Sequence, residues 1–390
     1  MLPYFIIFLF LSILALTVQP SNSLTSISRS DDPFLHRVIH KPSFYFFVAL
    51  FTIFIGLRYK VGGDFYTYGY MYYFYENQTF LEAIVPRWGS TDPAFAALNW
   101  IIMQVDPFDG IFWNYSQMVG GFVLVNLVAG FIFSYTFLKL VFVLPRPFLA
   151  LTIAFPYLIL VVAIGYLRQG IALGFICYGF VFLMNYKKWS FVFCIILATL
   201  FHKSAIVMLP LVFYFFITNT FLMVVISVFS LGFLILGVFF AQASILMTNY
   251  IEFAMQSRGG QVRLLLSSIP ALLYFYYRKQ FSFRESQHRI ISFLSYGSIV
   301  LAILVIIVPV YSTALDRIGL YFLPIQMIIF SCLPELYRGT NKFFINLAII
   351  LFYLLIMSTF LIFGDHSSAW IPYQNVLTID YSILYPSSSL

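Results

Sequence analysis

The chain has 390 residues, of which 62% are apolar or aromatic and only 9% are charged. Soluble domains carry about 25% charged and about 45–50% apolar residues, so a water-facing surface is excluded. Lipid suits such a surface, because each spanning helix satisfies its own backbone hydrogen bonds. The net charge of +7 comes with no basic stripe and no long soluble segment, which argues against a nucleic-acid partner. The expected fold class is an all-α polytopic integral membrane protein, one membrane domain over 1–390.

A bilayer span needs about 20 mostly apolar residues, and shorter runs are tolerated inside a bundle. On that basis twelve spans are expected: 3–19, 43–57, 112–138, 148–165, 170–186, 190–201, 205–217, 220–241, 264–277, 290–310, 318–333 and 343–363. No basic residue precedes the first run, and Ser21–Ser30 offers no clear small-x-small cleavage site, so a retained helix is expected rather than a signal peptide. Ala94–Val105 is apolar but bracketed by Asp92, Asp106 and Asp109. It reads as an interfacial or half-inserted helix within an outer loop, 58–111. Runs 190–201 and 205–217 are each too short to cross alone. One long helix, a re-entrant pair, and two short helices facing a wet recess all remain open for them. The tail 364–390 is expected to lie outside. Cys177, Cys194 and Cys332 fall inside apolar runs and read as small core residues.

Orientation follows from the basic residues. With both termini outward, the cytoplasmic segments hold thirteen of the 21 Lys and Arg, among them Arg37, Lys139, Arg146, Lys187, Lys188, Arg278, Arg284, Arg289, Arg338 and Lys342. The outer segments hold eight: Arg58, Lys60, Arg87, Arg168, Lys203, Arg258, Arg263 and Arg317. That excess over short loops is the positive-inside pattern. No internal repeat, GxxxxGK[ST] loop or HExxH helix is present, and the Gly62-Gly63 pair lacks the strand and helix of a dinucleotide site.

Five polar clusters then fall on the outer side: Arg58 with Gly62-Gly63-Asp64, Arg168-Gln169, His202-Lys203-Ser204, Asp316-Arg317, and Trp370-Ile371-Pro372-Tyr373. Singly, each has a plain reading. Arg and Lys snorkel at span ends, and Tyr and Trp belong to the aromatic belt. His202 is different, because an ionisable group within a membrane domain is costly and functional by default. A shared outward-facing cavity explains all five together. Arg58, Arg168 and Arg317 are planar cationic forks suited to phosphate oxygens. The clusters lack the several carboxylates of a Mg²⁺ or Mn²⁺ site. The inventory favours a phosphate-bearing ligand held by arginines, without metal or other cofactor, and Tyr and Trp faces that suit sugar rings.

At these residues the sequence resembles the EpsG-like and Wzy-type polysaccharide polymerases of bacterial inner membranes. The resemblance is carried by Arg58 with Gly63-Asp64-Phe65-Tyr66, by Arg168-Gln169-Gly170-Ile171-Ala172, by Ala198-Thr199-Leu200-Phe201-His202-Lys203-Ser204-Ala205, by Asp316-Arg317 and by Trp370-Ile371-Pro372-Tyr373. The Arg-Gln and Phe-His-x-Ser elements are the specific part, and Phe65 before the tyrosine departs from the usual form. The resemblance implies a GT-C-like integral membrane glycosyltransferase working at the periplasmic face. Its donor would be a growing glycan on undecaprenyl diphosphate and its acceptor a single lipid-linked repeat unit, giving O-antigen or a related surface polysaccharide. A chain-length regulator would be a further partner. Under this reading Arg58, Arg168, Arg317 and Lys203 bind diphosphate. Tyr66, Tyr68, Gln169, Trp370 and Tyr373 meet sugar. His202, Asp316 or Asp64 supplies the general base. The alternatives are a lipid-linked glycan flippase, or another outer-face transferase such as an O-antigen ligase or acyltransferase. A transporter would want a polar path opening to both sides, whereas the deep polar residues here lean outward.

Overall fold

In the computed structural model the described residues are 1–18, 42–85, 92–105, 121–215, 221–222, 225, 232 and 258–378. Among them there is no strand, only one isolated antiparallel bridge, between Arg58 and Asn375. The helices are α1 (Leu2–Thr17), α2 (Pro42–Gly56), α3 (Phe65–Phe74), α4 (Phe80–Ile84), α5 (Pro93–Gln104), α6 (Gly121–Val141) and α7 (Pro147–Ala154). They continue with α8 (Leu167–Met184), α9 (Lys188–Phe201), α10 (Pro210–Tyr214), α11 (Arg258–Tyr277), α12 (Glu285–Ile307), α13 (Ser312–Gly319), α14 (Pro324–Cys332) and α15 (Gly339–Phe363).

Four helices, α6, α8, α12 and α15, are long and apolar enough to cross a membrane by themselves. A fifth candidate is the bent pair Pro309–Gly319 and Pro324–Leu336, which turns by 65° at its break. Shorter apolar helices stand at most of the other expected spans: Leu2–Thr17, Pro42–Gly56, Pro147–Ala163, Lys188–Phe201 and Lys203–Tyr214. The expected span 220–241 lies almost wholly outside the described residues. The interfacial segment is helical, as α5. The three cysteines are free and buried.

Local sequence explains the irregular helices. Pro156 cannot donate to the helical ladder, and α7 runs on as π-helical turns over Phe155–Ala163. Such wider turns are uncommon and concentrate at functional places. The run from Lys188 to Tyr214 is two short helices. His202 takes an extended conformation (φ −158°, ψ 117°), and the chain restarts as a 3-10 turn over Lys203–Met208.

Contacts sort the charged residues to two ends of the bundle. At one end Glu335 receives Arg146 Nε at 2.6 Å and Lys342 Nζ at 2.7 Å. At that same end Ser286 donates to the Met184 carbonyl and Arg289 to that of Tyr214. All of these belong to segments that the charge pattern places on the cytoplasmic side or to expected spans running into it. The five motif clusters gather at the opposite end.

Candidate functional site

The site is assembled from breaks and helix starts. Asp64 and Asp92 are the N-cap residues of α3 and α5, yet neither side chain makes a cap hydrogen bond. A capping Asp usually satisfies a first-turn N–H for about 1 kcal/mol, so both carboxylates are available for other partners. Asp92 is 4% exposed. Its Oδ2 accepts from Arg168 Nη1 at 3.1 Å and lies 3.2 Å from His202 Nδ1, and its Oδ1 accepts the Lys203 backbone N–H at 3.3 Å. One carboxylate thus ties α5, the start of α8 and the α9 break together.

Asp64 stands on the other side of Arg168. The Tyr68 hydroxyl donates to its Oδ2 at 3.4 Å, and the Arg168 guanidinium lies 5.6 Å from the centre of the Tyr68 ring. Burial raises the Asp64 carboxyl above the usual carboxylate range, and Arg317, then Arg168, oppose that shift. Arg317 is exposed and, among the described residues, makes no hydrogen bond or ion pair. Burial lowers His202, the Asp92 carboxylate acts against this, and Arg168 and Arg317 add to it. Ser204 joins the same edge through the Tyr321 hydroxyl at 3.1 Å.

Asp316 is engaged from a direction the sequence did not suggest. Arg263 of α11 grips it with both arms of its fork, Nε to Oδ1 at 3.0 Å and Nη2 to Oδ2 at 2.5 Å. The Arg263 guanidinium also lies 4.5 Å from the Tyr157 ring centre. A mostly apolar pocket opens beside it, walled by Pro156, Tyr157, Leu266, Leu323, Met327 and Ile356. Tyr166, just before α8, feels Arg263, Asp64, Asp316 and Arg317 together, so the two arginine–carboxylate groups adjoin.

The structure therefore brings Asp64, Tyr68, Arg168, His202, Lys203, Asp316 and Arg317 to one place. Gln169 sits beside Arg168, buried, and its Nε2 has no hydrogen-bond partner among the described residues. Tyr66 is half exposed on α3, its ring edge-on to that of Phe65 at 5.7 Å.

Three other expected site residues are engaged in bonds and packing of their own. Arg58 is buried, and its Nε and Nη1 donate to the carbonyls of Val61 (3.0 Å) and Ile55 (2.6 Å), so it braces its own turn, while its Nη2 is buried without a hydrogen-bond partner among the described residues. Trp370 is 1% exposed, its Nε1 donates to Leu160 O at 2.8 Å, and its backbone carbonyl accepts from the Tyr4 hydroxyl. Its ring fills the space over Gly165, so it is packed as a wedge with no free face for a sugar. Tyr373 stacks on Phe54 at 5.0 Å and donates to the Phe54 carbonyl. The C-terminal segment laces onto the loop after α2 through Tyr59 N–Gln374 O, Val376 N–Leu57 O and Gly62 N–Ala369 O. Gly62 has φ +105°, and a Cβ there would sit 2.8 Å from Ile164 O, so only glycine allows that approach.

Two residues were missed as site members. Asp92 carries only a helix-start signal in the sequence, Asp-Pro before an apolar run, and that signal marks the boundary of α5 without pointing to His202 or Arg168. Arg263 gave no local signal, since its partner lies 53 residues on. Among the described residues no three His, Cys, Asp or Glu side chains converge as a metal-ligand set.

A helical bundle with four to five full-length apolar spans and an ionisable cluster at one end defines a polytopic membrane protein. The EpsG family model matches residues 42–375, and the chain belongs to that family. The match begins at α2 and ends at Asn375, the bridge partner of Arg58. No curated protein and no solved structure matches the chain.

Proposed function

We propose that this protein is a glycosyltransferase that polymerises undecaprenyl-diphosphate-linked repeat units into O-antigen or a related surface polysaccharide, at the periplasmic face of the bacterial inner membrane. The observation that carries this reading is the convergence of Arg168, Arg263 and Arg317 with His202 and Asp64 at one end of the bundle. Family membership supports the reaction class. Twelve spans, the outer loop 58–111 and the outer tail 364–390 belong to the same proposal.

The chemistry follows from what these groups can do. The acceptor hydroxyl oxygen attacks the donor's anomeric carbon. The bond from that carbon to the diphosphate oxygen breaks, and its electron pair leaves with the lipid diphosphate. Arg317 and Arg168 stabilise that developing charge, which preorganised cationic donors do most effectively in a site poor in water. His202 takes the hydroxyl proton, burial keeping it neutral and able to accept at neutral pH. Asp316, held by both arms of Arg263, is a poorer candidate base than in isolation, and Asp64 remains near Arg317 as an acceptor for a sugar hydroxyl. The mostly apolar pocket beside Arg263 suits an isoprenoid segment of the lipid.

Loss of the gene product tests the reading. Single-repeat lipid-linked glycan should accumulate on the outer face of the inner membrane. If it accumulates on the cytoplasmic face instead, the protein is a flippase. If long polymer still forms on the lipid but is not transferred onward, it is a ligase.

A further inference from the structure

Proton transfer to His202 needs one ring nitrogen with a free lone pair, and the fold decides which. A carboxylate only accepts hydrogen bonds. Asp92 Oδ2 lies 3.2 Å from Nδ1, so Nδ1 carries the proton, and Nε2 is left without a partner among the described residues. We propose that Asp92 is the positioning residue of this site: it fixes His202 in the Nδ1–H tautomer, aims Nε2 at the acceptor hydroxyl, and stabilises the imidazolium formed when Nε2 takes the proton. The proposal deepens the glycosyltransferase reading and rests on it.

Three features support a dedicated role. Asp92 is an N-cap residue that makes no side-chain cap bond, so its carboxylate forgoes the usual local stabilisation. It is buried, where an ionisable group is costly unless it is paired. Its partners come from two other parts of the chain, Arg168 from the start of α8, and His202 with the Lys203 N–H from the α9 break. Because Oδ2 meets both Arg168 and His202, the diphosphate-binding arginine and the base share one oxygen. The leaving group and the proton acceptor are thereby held in fixed relation, as a displacement needs.

The charged and titratable groups facing His202 are Asp92 at the start of α5, Arg168 on α8, Arg317 on α13, Asp64 before α3 and the adjacent Lys203. Tyr321 lies beyond Ser204 and also feels Asp92. Turnover requires neutral His202, so the rate rises with pH through the His202 pKa and is flat above it. Burial sets that limb below the usual histidine range, and Asp92 moves it up.

In Asp92→Asn the amide N–H₂ can donate to Nδ1, which favours the opposite tautomer and puts the proton on Nε2. The maximal rate should fall by about 10²–10⁴-fold, the range of a lost acid–base group. The residual acid limb should move to lower pH, because the carboxylate that raised the His202 pKa is gone. Asp92→Glu, which keeps the acceptor, should retain the tautomer and recover part of the rate.

The deciding measurement is ¹⁵N NMR of the full-length protein, labelled at its five histidines and held in lipid nanodiscs. The His202 signals are identified by their loss in His202→Gln. Wild type and Asp92→Glu should show a protonated Nδ1 and a free Nε2, and Asp92→Asn the reverse. A wild-type Nε2–H tautomer overturns the proposal even if every Asp92 variant is unstable. So does an Asp92→Asn enzyme that only raises donor KM and keeps the wild-type pH profile, since that is the signature of an anchor for Arg168 alone. If the wild-type protein forms no polymer from lipid-linked repeats while the tautomers behave as expected, the reaction is misassigned and the Asp92–His202 pairing stands.

Discussion

Gly165→Ala tests whether the C-terminal wedge sets the position of the candidate site. A Cβ at 165 would lie 2.5 Å from Trp370 Cζ2, whereas ordinary contact begins at 3.4 Å, so the ring would have to retreat by about 0.9 Å. It has little freedom to do so. Its Nε1 is bonded to Leu160 O at 2.8 Å, its backbone carbonyl is held by Tyr4, and the Phe360 ring packs edge-on at 5.4 Å. Overpacking of this kind costs about 1–3 kcal/mol. If the indole bond breaks and leaves a buried carbonyl unpaired, about 1–3 kcal/mol more is lost. The shift should reach the site, because Tyr166 N bonds Val162 O and Gly170 N bonds Tyr166 O, which joins the π-helical turns to the start of α8 and Arg168. A thiol-reactive dye reads the unfolding, since all three cysteines are free and buried. Gly165→Ala in detergent should expose them at a temperature several degrees lower. Trp370→Phe removes the far ring edge and should be destabilising alone, yet the double variant should be better than the sum by at least about 1 kcal/mol, as expected for residues in contact. Strict additivity would refute the wedge, and wild-type melting of Trp370→Phe with a raised acceptor KM would return Trp370 to sugar binding.

Arg317→Ala and Arg168→Ala should abolish polymer while leaving the protein in the membrane, and Arg168→Lys should also be poor, because lysine keeps the charge without the planar fork; wild-type polymer from Arg168→Ala would reduce that residue to a structural partner of Asp92. Leu266→Trp or Ile356→Trp should block the pocket beside Arg263 and raise KM for a long-chain lipid donor more than for a short-chain one; equal effects on both would remove the lipid from that pocket. Activity on purified lipid-linked substrate should survive excess EDTA, arginines supplying the cationic charge, and loss restored by Mg²⁺ would make Asp64 and Asp92 candidate ligands. Single cysteines at 316 and at exposed position 365, close in sequence to buried Trp370, should react from the periplasmic side and those at 187 and 284 should not, and labelling at 284 alone in intact cells would reverse the orientation.

The sequence carried most of the fold because a bilayer punishes exposed backbone, so apolar run length reports a helix almost directly. Runs 43–57 and 343–363 became α2 and α15 with boundaries moved by only a few residues. It carried the gathering of the motif clusters for a related reason: successive apolar helices place alternate turns at the same end of the bundle. What it could not carry is which polar groups meet within that end. Arg58 and Arg168 look alike in sequence, each a lone arginine beside an apolar run. One has two of its three guanidinium nitrogens on the carbonyls of its own turn, and the other reaches Asp92 across 76 residues. That difference depends on tertiary placement and leaves no local trace.

The same limit shapes how motif residues should be weighed. Gly62, Gly165, Trp370 and Tyr373 join the loop after α2, the π-helical turns and the C-terminal segment into one brace. Such residues tolerate little change because a backbone approach or a ring contact depends on them. Asp92 is the converse case, a residue in the guise of a helix cap whose carboxylate is turned away from its helix and toward a histidine and an arginine. A polar side chain that leaves its ordinary local bond unmade is the more informative signal. By that criterion the candidate site centres on Asp92, His202 and Arg168, with Arg317 an exposed cation beside them.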